Sequence, residues 1–548
     1  MISLMEKLPT KKILFMMVML FIPLFLFYLG TPSLWDEDES VYTEISRQMI
    51  LRHDPVGTYF NYAPRYDKPP LNFWITAAFY KGFGLNEFTS RIPSTIFAFL
   101  CLILAYLFGK KLFNKKTGII AALMLGTGFL FFIESQMALI DTTLTFLIGL
   151  TLYFFYQSMV ENKPLFLVWM GIPLGLGILA KGPVSLVITG ATGLAFWFFL
   201  TLQKKASGRS LWNWYLLGGF AIAAAICLPW YLSMGFRYGM DFIQSHFGYH
   251  MFKRFTQPIE KHGGGWYYNF YYIVLLFIGF MPWSAFIPGS LKLAVKRWSE
   301  TAIFFTLSWA VITFAFFTIA QTKLPGYTLP LFLPVALLMA HWWEGLLSGS
   351  GLKANPWWGI IIELLIVLGV VTLIAIHRSA LPQGYQNTIW VLYLLPLSLI
   401  MGVILIWFWR KTNHGYEPFF NVTFFGYYLL WALFILLLVP IVENGKPVKY
   451  LAAELRPYLT RQDQVIDAID DSFSTPFYTR RRILFIRQDS KLASYFQPQK
   501  SRQGQGRVFA FVKETSLQYL KQHHVPYYQF SHFGSGYLIT NQPVEKGP

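Results

Sequence analysis

Charge and cysteine are what this 548-residue sequence has least of. Only 13% of residues are charged and two are cysteines. Those two, Cys101 and Cys227, both fall inside long apolar stretches, which excludes a disulfide framework and a thiolate metal centre. No glycine-rich phosphate loop of the Walker or Rossmann kind is present, so a soluble nucleotide is not indicated as a substrate. Acidic residues are also scarce: 27 against 45 lysines and arginines, a net charge of +18. The cations are dispersed between apolar segments rather than gathered on one soluble face, which fits anionic lipid and no nucleic acid.

Hydrophobic residues make up 55% of the chain and aromatics 19%, with a mean hydropathy of +0.44. Apolar runs of about 17 to 25 residues recur, the length a helix needs to cross roughly 30 Å of hydrocarbon. They are apolar on every face, as in "FLIGLTLYFFY", which excludes the alternation of a membrane β-barrel. The runs predict about 13 transmembrane helices: 13–30, 90–108, 118–133, 142–160, 164–180, 183–202, 211–231, 267–290, 301–320, 328–347, 357–376, 388–409 and 419–441. The first follows Lys7, Lys11 and Lys12 without a cleavage site and reads as a retained span. A cytoplasmic N-terminus puts Lys110, Lys111, Lys115, Lys116, Lys163, Lys204, Lys205, Arg209, Lys292, Lys296, Arg297, Arg410 and Lys411 inside, as the positive-inside rule requires.

With that parity, segments 31–89, 134–141, 232–266 and 321–327, the turn at Lys181 and everything after about 442 face outward. The expected organisation is a membrane domain over 1–441, including the outer juxtamembrane loop 31–89, and a soluble α/β domain over 442–548. "ESVYTEISRQMI" carries Val41, Ile45, Met49 and Ile50 at helical spacing, predicting a helix along the membrane surface. In the tail, "QVIDAI", "RILFIR" and "RVFAFV" read as strands and "PVKYLAAELRPYL" as a helix.

The outward segments hold the residues suited to chemistry. Asp36, Glu37, Asp38 and Glu39 follow the first span; adjacent carboxylates attract a cation or serve as a general base, while the plainer reading is a helix N-terminus. In "YDKPPLNFWI", Asp67 and Lys68 precede two prolines that hold the backbone extended. Lys68 can bind a phosphate as a point charge or anchor the interface. Glu134 and Asp141 sit at span edges, where an ionisable residue also marks the water boundary and Asp141 can cap the next helix. His246, His250, Lys253, Arg254 and His262 come from one loop, with no metal-ligand spacing. Lys323 and Tyr327 flank a Pro-Gly turn. Acids for a base and cations for a departing phosphate, on one face, suit group transfer from a lipid-borne phosphorylated donor.

At these residues the chain resembles the C-type-fold (GT-C) integral membrane glycosyltransferases, in particular the lipid A aminoarabinose transferases and the protein O-mannosyltransferases. "DESVYTEISRQM" at 38–49, "YDKPPLNFWI" and "KLPGYTLPLFLP" carry the likeness, in order. The resemblance implies inverting transfer of a polyprenyl-phosphate-linked sugar, such as 4-amino-4-deoxy-L-arabinose, to lipid A or another glycan or protein acceptor at the periplasmic face of a bacterial inner membrane. It implies Asp38 as the essential acid within the Asp38–Glu39 motif and Asp141 as a second one. Lys68 and Lys181 would hold the donor phosphate and Tyr327 would line the cavity. Asp67 and His262 match positions open to a divalent metal. The family often has arginine where this chain has Val41, and glutamate where it has Asp67; Lys68, Lys181, Arg47 or Arg254 would then neutralise the phosphate. Transfer to Ser/Thr hydroxyls and a lipid-linked-sugar flippase are the competing functions, the latter disfavoured because the charges cluster at helix ends rather than mid-membrane and no inverted repeat is visible.

Overall fold

A computed structural model describes residues 1–35, 37–203, 213–258, 268, 270–349, 365, 368, 372, 416–469, 472–497 and 506–544. Among them, seven helices are long and apolar enough to cross a membrane: Glu87–Leu112, Asp141–Glu161, Val184–Leu202, Trp214–Thr256, Thr301–Ile319, Pro325–Leu347 and Tyr416–Leu436. Two further expected spans are sharply bent, Lys115–Thr127 with Phe129–Ser135 by 69° and Tyr271–Gly279 with Trp283–Lys296 by 113°. The spans expected at 357–376 and 388–409 lie outside the described residues.

The helices separate two chemistries along their length. Helix Asp141–Glu161 starts at the acidic Asp141 and ends at Glu161, which is gripped by Lys163 at 2.8 Å and by Lys111. Its 21 residues rise about 30 Å at 1.5 Å each. Helix Glu87–Leu112 likewise has Arg91 near one end and Lys110 and Lys111 at the other. The basic residues expected inside and the acids expected outside therefore occupy opposite helix ends.

One expectation is corrected. Residues 232–256 do not form a loop: helix Trp214–Phe242 runs on, across a non-helical Gly239, into a π-helix over Ile243–Lys253. The reason is a buried anchor, His246, whose ring stacks on Phe242 and whose Nδ1 meets the Tyr66 carbonyl at 2.6 Å. Helix Asp38–Arg52, expected along the membrane surface, is buried at every residue from Glu39 to Met49. The C-terminal region is tied to the chain on either side of it: Asn61 exchanges hydrogen bonds with the Ile483 backbone, and the Leu34 N–H donates to the Tyr478 hydroxyl at 2.7 Å.

The C-terminal region is built on a five-stranded sheet. After a short hairpin of β1 (Tyr59–Phe60) and β2 (Ala63–Pro64), the strands are β3 (Gln464–Asp467), β4 (Ile483–Phe485), β5 (Val508–Lys513), β6 (Tyr528–Phe533) and β7 (Gly536–Thr540), ordered β4-β3-β5-β7-β6. The first three are the expected strands and pair in parallel, as strands linked by crossover helices do. The last two form an antiparallel hairpin that the sequence reading did not anticipate.

Candidate active site

Where the outer loop meets the bent helix pair there is a cavity of about 510 Å³. Its lining combines apolar residues, among them Tyr28, Leu130, Ile133, Phe434 and Ile435, with Asp38, Glu39, Glu134, Asp141 and Tyr327. Asp38 opens helix Asp38–Arg52 behind Glu37, whose φ of +69° is rare for a residue with a side chain. Such a conformation persists where its surroundings enforce it.

Those surroundings centre on Arg91. Its guanidinium donates Nε to Glu39 Oε1 at 2.8 Å and Nη2 to Oε2 at 3.1 Å, and also donates to the carbonyls of Leu29, Pro32 and Ser33 at 2.9 Å each. Glu39 accepts two further backbone N–H bonds, from Trp35 at 2.6 Å and Ala138 at 2.8 Å. Burial alone would raise the Glu39 carboxyl; Arg91 and these bonds hold it below its ordinary value. With both oxygens committed, Glu39 has no lone pair turned to a substrate. Glu39, grouped from sequence with the catalytic acids, ties the Asp38 loop to helix Glu87–Leu112. Glu443 completes the hold, accepting the Ser33 backbone N–H at 2.8 Å and its hydroxyl at 2.5 Å.

Asp141 does not cap its helix; Ile140 occupies the cap without a side-chain bond. Its Oδ1 instead accepts from Lys181 at 2.5 Å, and the Lys181 ammonium sits 4.0 Å above the Tyr327 ring. Lys181, expected on the donor phosphate, is thus already engaged with a carboxylate. Glu134 joins this group. A Cβ on Gly326 would lie 2.8 Å from Asp141 Oδ2 and 2.9 Å from Glu134 Oε1, so only glycine leaves room between the two acids.

A cationic flank adjoins the acids. Arg65 pairs with the buried Asp67 at 3.1 Å. Burial would raise the Asp67 carboxyl, but Arg65, Lys68 and His250 hold it well below the usual carboxylate range. Arg254 is also within electrostatic reach of His250, so Arg65, Asp67, Lys68 and Arg254 surround one histidine. Lys68 is buried, yet no hydrogen bond holds its ammonium among the described residues. Tyr42 stands between the two groups: burial, then the charges of Asp38 and Asp67, followed by those of Tyr327 and Asp141, keep its phenol protonated far above its ordinary range.

Several expected residues are placed elsewhere. Arg47 forms a two-pronged pair with Glu44, at 2.7 and 2.8 Å, and is not available to a phosphate. Lys323 donates to the carbonyls of Phe317, Thr318 and Ala320, closing the end of helix Thr301–Ile319. His262 lies outside the described residues. Asp67 faces cations, and among the described residues no three His, Cys, Asp or Glu side chains gather as metal ligands. Arg65, Tyr42 and Glu134 were not among the chosen site residues. Arg65 is two positions before Asp67 on extended chain and Tyr42 one turn after Asp38, both same-face spacings.

The profile of the Dolichyl-phosphate-mannose-protein mannosyltransferase family matches residues 12–243. An undecaprenyl phosphate-alpha-4-amino-4-deoxy-L-arabinose arabinosyl transferase of Pseudomonas savastanoi pv. phaseolicola is 28% identical over 452 residues, covering 79% of each chain. Its namesake from Pectobacterium atrosepticum is 30% identical over 385 residues, 67% of this chain and 66% of that one. The crystal structure of ArnT from Cupriavidus metallidurans bound to undecaprenyl phosphate superposes with a TM-score of 0.79 at 19% identity, covering 97% of this chain and 99% of that one. The chain belongs to the C-type-fold membrane glycosyltransferases. In this transferase a many-helix membrane body of the GT-C fold carries the small C-terminal α/β domain expected from the tail's strand and helix pattern.

Proposed function

We propose that the protein moves an amino sugar, 4-amino-4-deoxy-L-arabinose or a close relative, from a polyprenyl-phosphate carrier to an acceptor such as lipid A at the periplasmic face of the bacterial inner membrane. The observation that carries this reading is the cavity, whose lining joins apolar helix residues suited to a prenyl chain with Asp38 and Asp141. The names of the relatives support the choice of sugar and carrier. Residues 1–441 would do the chemistry, and 442–548 would cover and brace the outer loop.

In this reading the acceptor oxygen attacks the anomeric carbon as the bond from that carbon to the phosphate oxygen breaks, and the electron pair leaves with the polyprenyl phosphate. Lys68, with Arg65 and Arg254, receives that charge; these cations are preset, so little reorganisation is needed. A hydroxyl acceptor gives its proton to Asp38, whereas a lipid A phosphate is already anionic and Asp38 then steadies charge developing on the sugar. Lys181 fixes Asp141, and Tyr327 is held beneath the Lys181 ammonium.

The test uses the purified full-length chain with polyprenyl-phosphate amino sugar and lipid A, the product read by mass spectrometry. Asp38→Asn should lower transfer by about 100-fold or more with unchanged thermal stability. Undiminished transfer removes the Asp38 assignment. Movement of the donor across vesicles without transfer to any acceptor favours the flippase.

A further inference from the structure

The acids of the cavity are not equally matched by cations. Glu39 has Arg91, and Asp141 gives one oxygen to Lys181. Glu134 is 4% exposed, lines the same cavity, and has an oxygen, Oε2, with no hydrogen-bond partner. Lys181 is the cation facing both Glu134 and Asp141, and its ammonium is bonded to Asp141 Oδ1. Two carboxylates thus share one lysine, one positive charge short of balance. Asp141 Oδ2 and Glu134 Oε1 both flank Gly326, at 2.8 and 2.9 Å from where its Cβ would be.

An unpaired carboxyl in a water-poor site is costly unless something arrives to match it. The missing partner is positively charged and small, and offers several N–H donors to oxygens that converge from two sides. A primary ammonium has that chemistry: three donors around a point charge. A neutral hydroxyl has one donor and no charge. We propose that Glu134 and the Oδ2 oxygen of Asp141 form an ammonium pocket that selects the amino group of the transferred sugar. Glu134 is then a specificity-determining residue, and Gly326 puts no side chain between the two acids. This rests on the transferase reading given above and names the feature of the donor that the cavity recognises.

The experiment compares two polyprenyl-phosphate donors of the same pentose, one bearing the amine and one a hydroxyl in its place, using the full-length protein in detergent. The kcat/KM of each is measured for wild type, Glu134→Gln and Glu134→Asp, with thermal melts confirming that the variants fold. Wild type should prefer the amine by about tenfold or more, and Glu134→Gln should bring that ratio to within about threefold, chiefly through KM. Glu134→Asp, which keeps the charge, should retain the preference. An unchanged ratio in Glu134→Gln, an equal loss on both donors, or loss of preference in Glu134→Asp overturns the pocket. Wild-type protein that uses both donors equally also overturns it, while leaving the transferase intact. Wild-type protein that transfers neither sugar is the failure of the transferase reading itself.

Discussion

Glu39 and Glu134 are both buried glutamates lining one cavity, yet their surroundings are opposite. Glu39 has a cation in two-pronged contact and two backbone donors; Glu134 has one oxygen with no partner at all. The wall around Glu39 is a fastening, in which each polar group is used to hold the Asp38 loop. The wall around Glu134 has capacity left over. Burial and charge do not distinguish a structural acid from one that meets a ligand; the tally of partners does.

Breaking the fastened wall should have the largest effect. Arg91→Met strands a buried carboxylate and frees three carbonyls of the loop, and a cost of about 3–5 kcal/mol is expected. A thermal melt would show it, together with loss of transfer. The double variant Arg91→Met/Glu39→Gln should recover part of that stability, since no unpaired charge remains. A double variant no better than the single one would show that the carbonyl bonds, rather than the ion pair, make the wall.

Lys181→Met tests the other wall. It leaves Asp141 and Glu134 without their shared cation, with an expected loss of about 1–3 kcal/mol and of most transfer. Adding Glu134→Gln should soften the stability loss, because one of two adjacent negative charges is gone. Additive losses in melts of the two variants and their combination would separate Glu134 from Lys181 and weaken the charge count. Gly326→Ala should cost less in stability, since the new methyl meets the tips of side chains rather than backbone. Transfer should fall by about tenfold to a hundredfold as the acids are pushed off position, and kcat/KM measured beside a melt distinguishes the two effects.

How much of this was readable in the sequence differs by residue. The spans were legible because bilayer thickness fixes their length, and Asp38, Lys68, Asp141 and Tyr327 because they interrupt apolar sequence at span ends. The division of labour between Asp38 and Glu39 was not, since neighbours on a helix point about 100° apart and nothing local says which side holds Arg91, 52 positions away. The pairing of Lys181 with Asp141 was not legible, because the two are 40 residues apart. The loop that leads into helix Asp38–Arg52 is held by Glu443 and Tyr478, more than 400 residues away. The π-helix hid behind aromatics and histidines without a 3.6-residue period.

The C-terminal sheet supplies an intermediate case and the smallest expected effect. Asp467, at the end of β3, is fully buried and accepts from the Ile469 backbone at 2.8 Å and from the Thr475 hydroxyl, but Arg487 approaches only to 3.8 Å. Burial pushes its carboxyl up to about 7, against the pull of those bonds. The folded state therefore holds a proton that the unfolded chain has already released, and stability contributed by this group falls as pH rises from about 4 to about 7. Asp467→Asn removes that penalty while its amide keeps one acceptor and gains donors. Melts of the full chain should show Tm raised by a few degrees at pH 8 and little changed at pH 4. A variant less stable at pH 8 would mean that Arg487 at 3.8 Å does for Asp467 what Arg91 does for Glu39 in direct contact, and that contact is not what divides the two walls of the cavity.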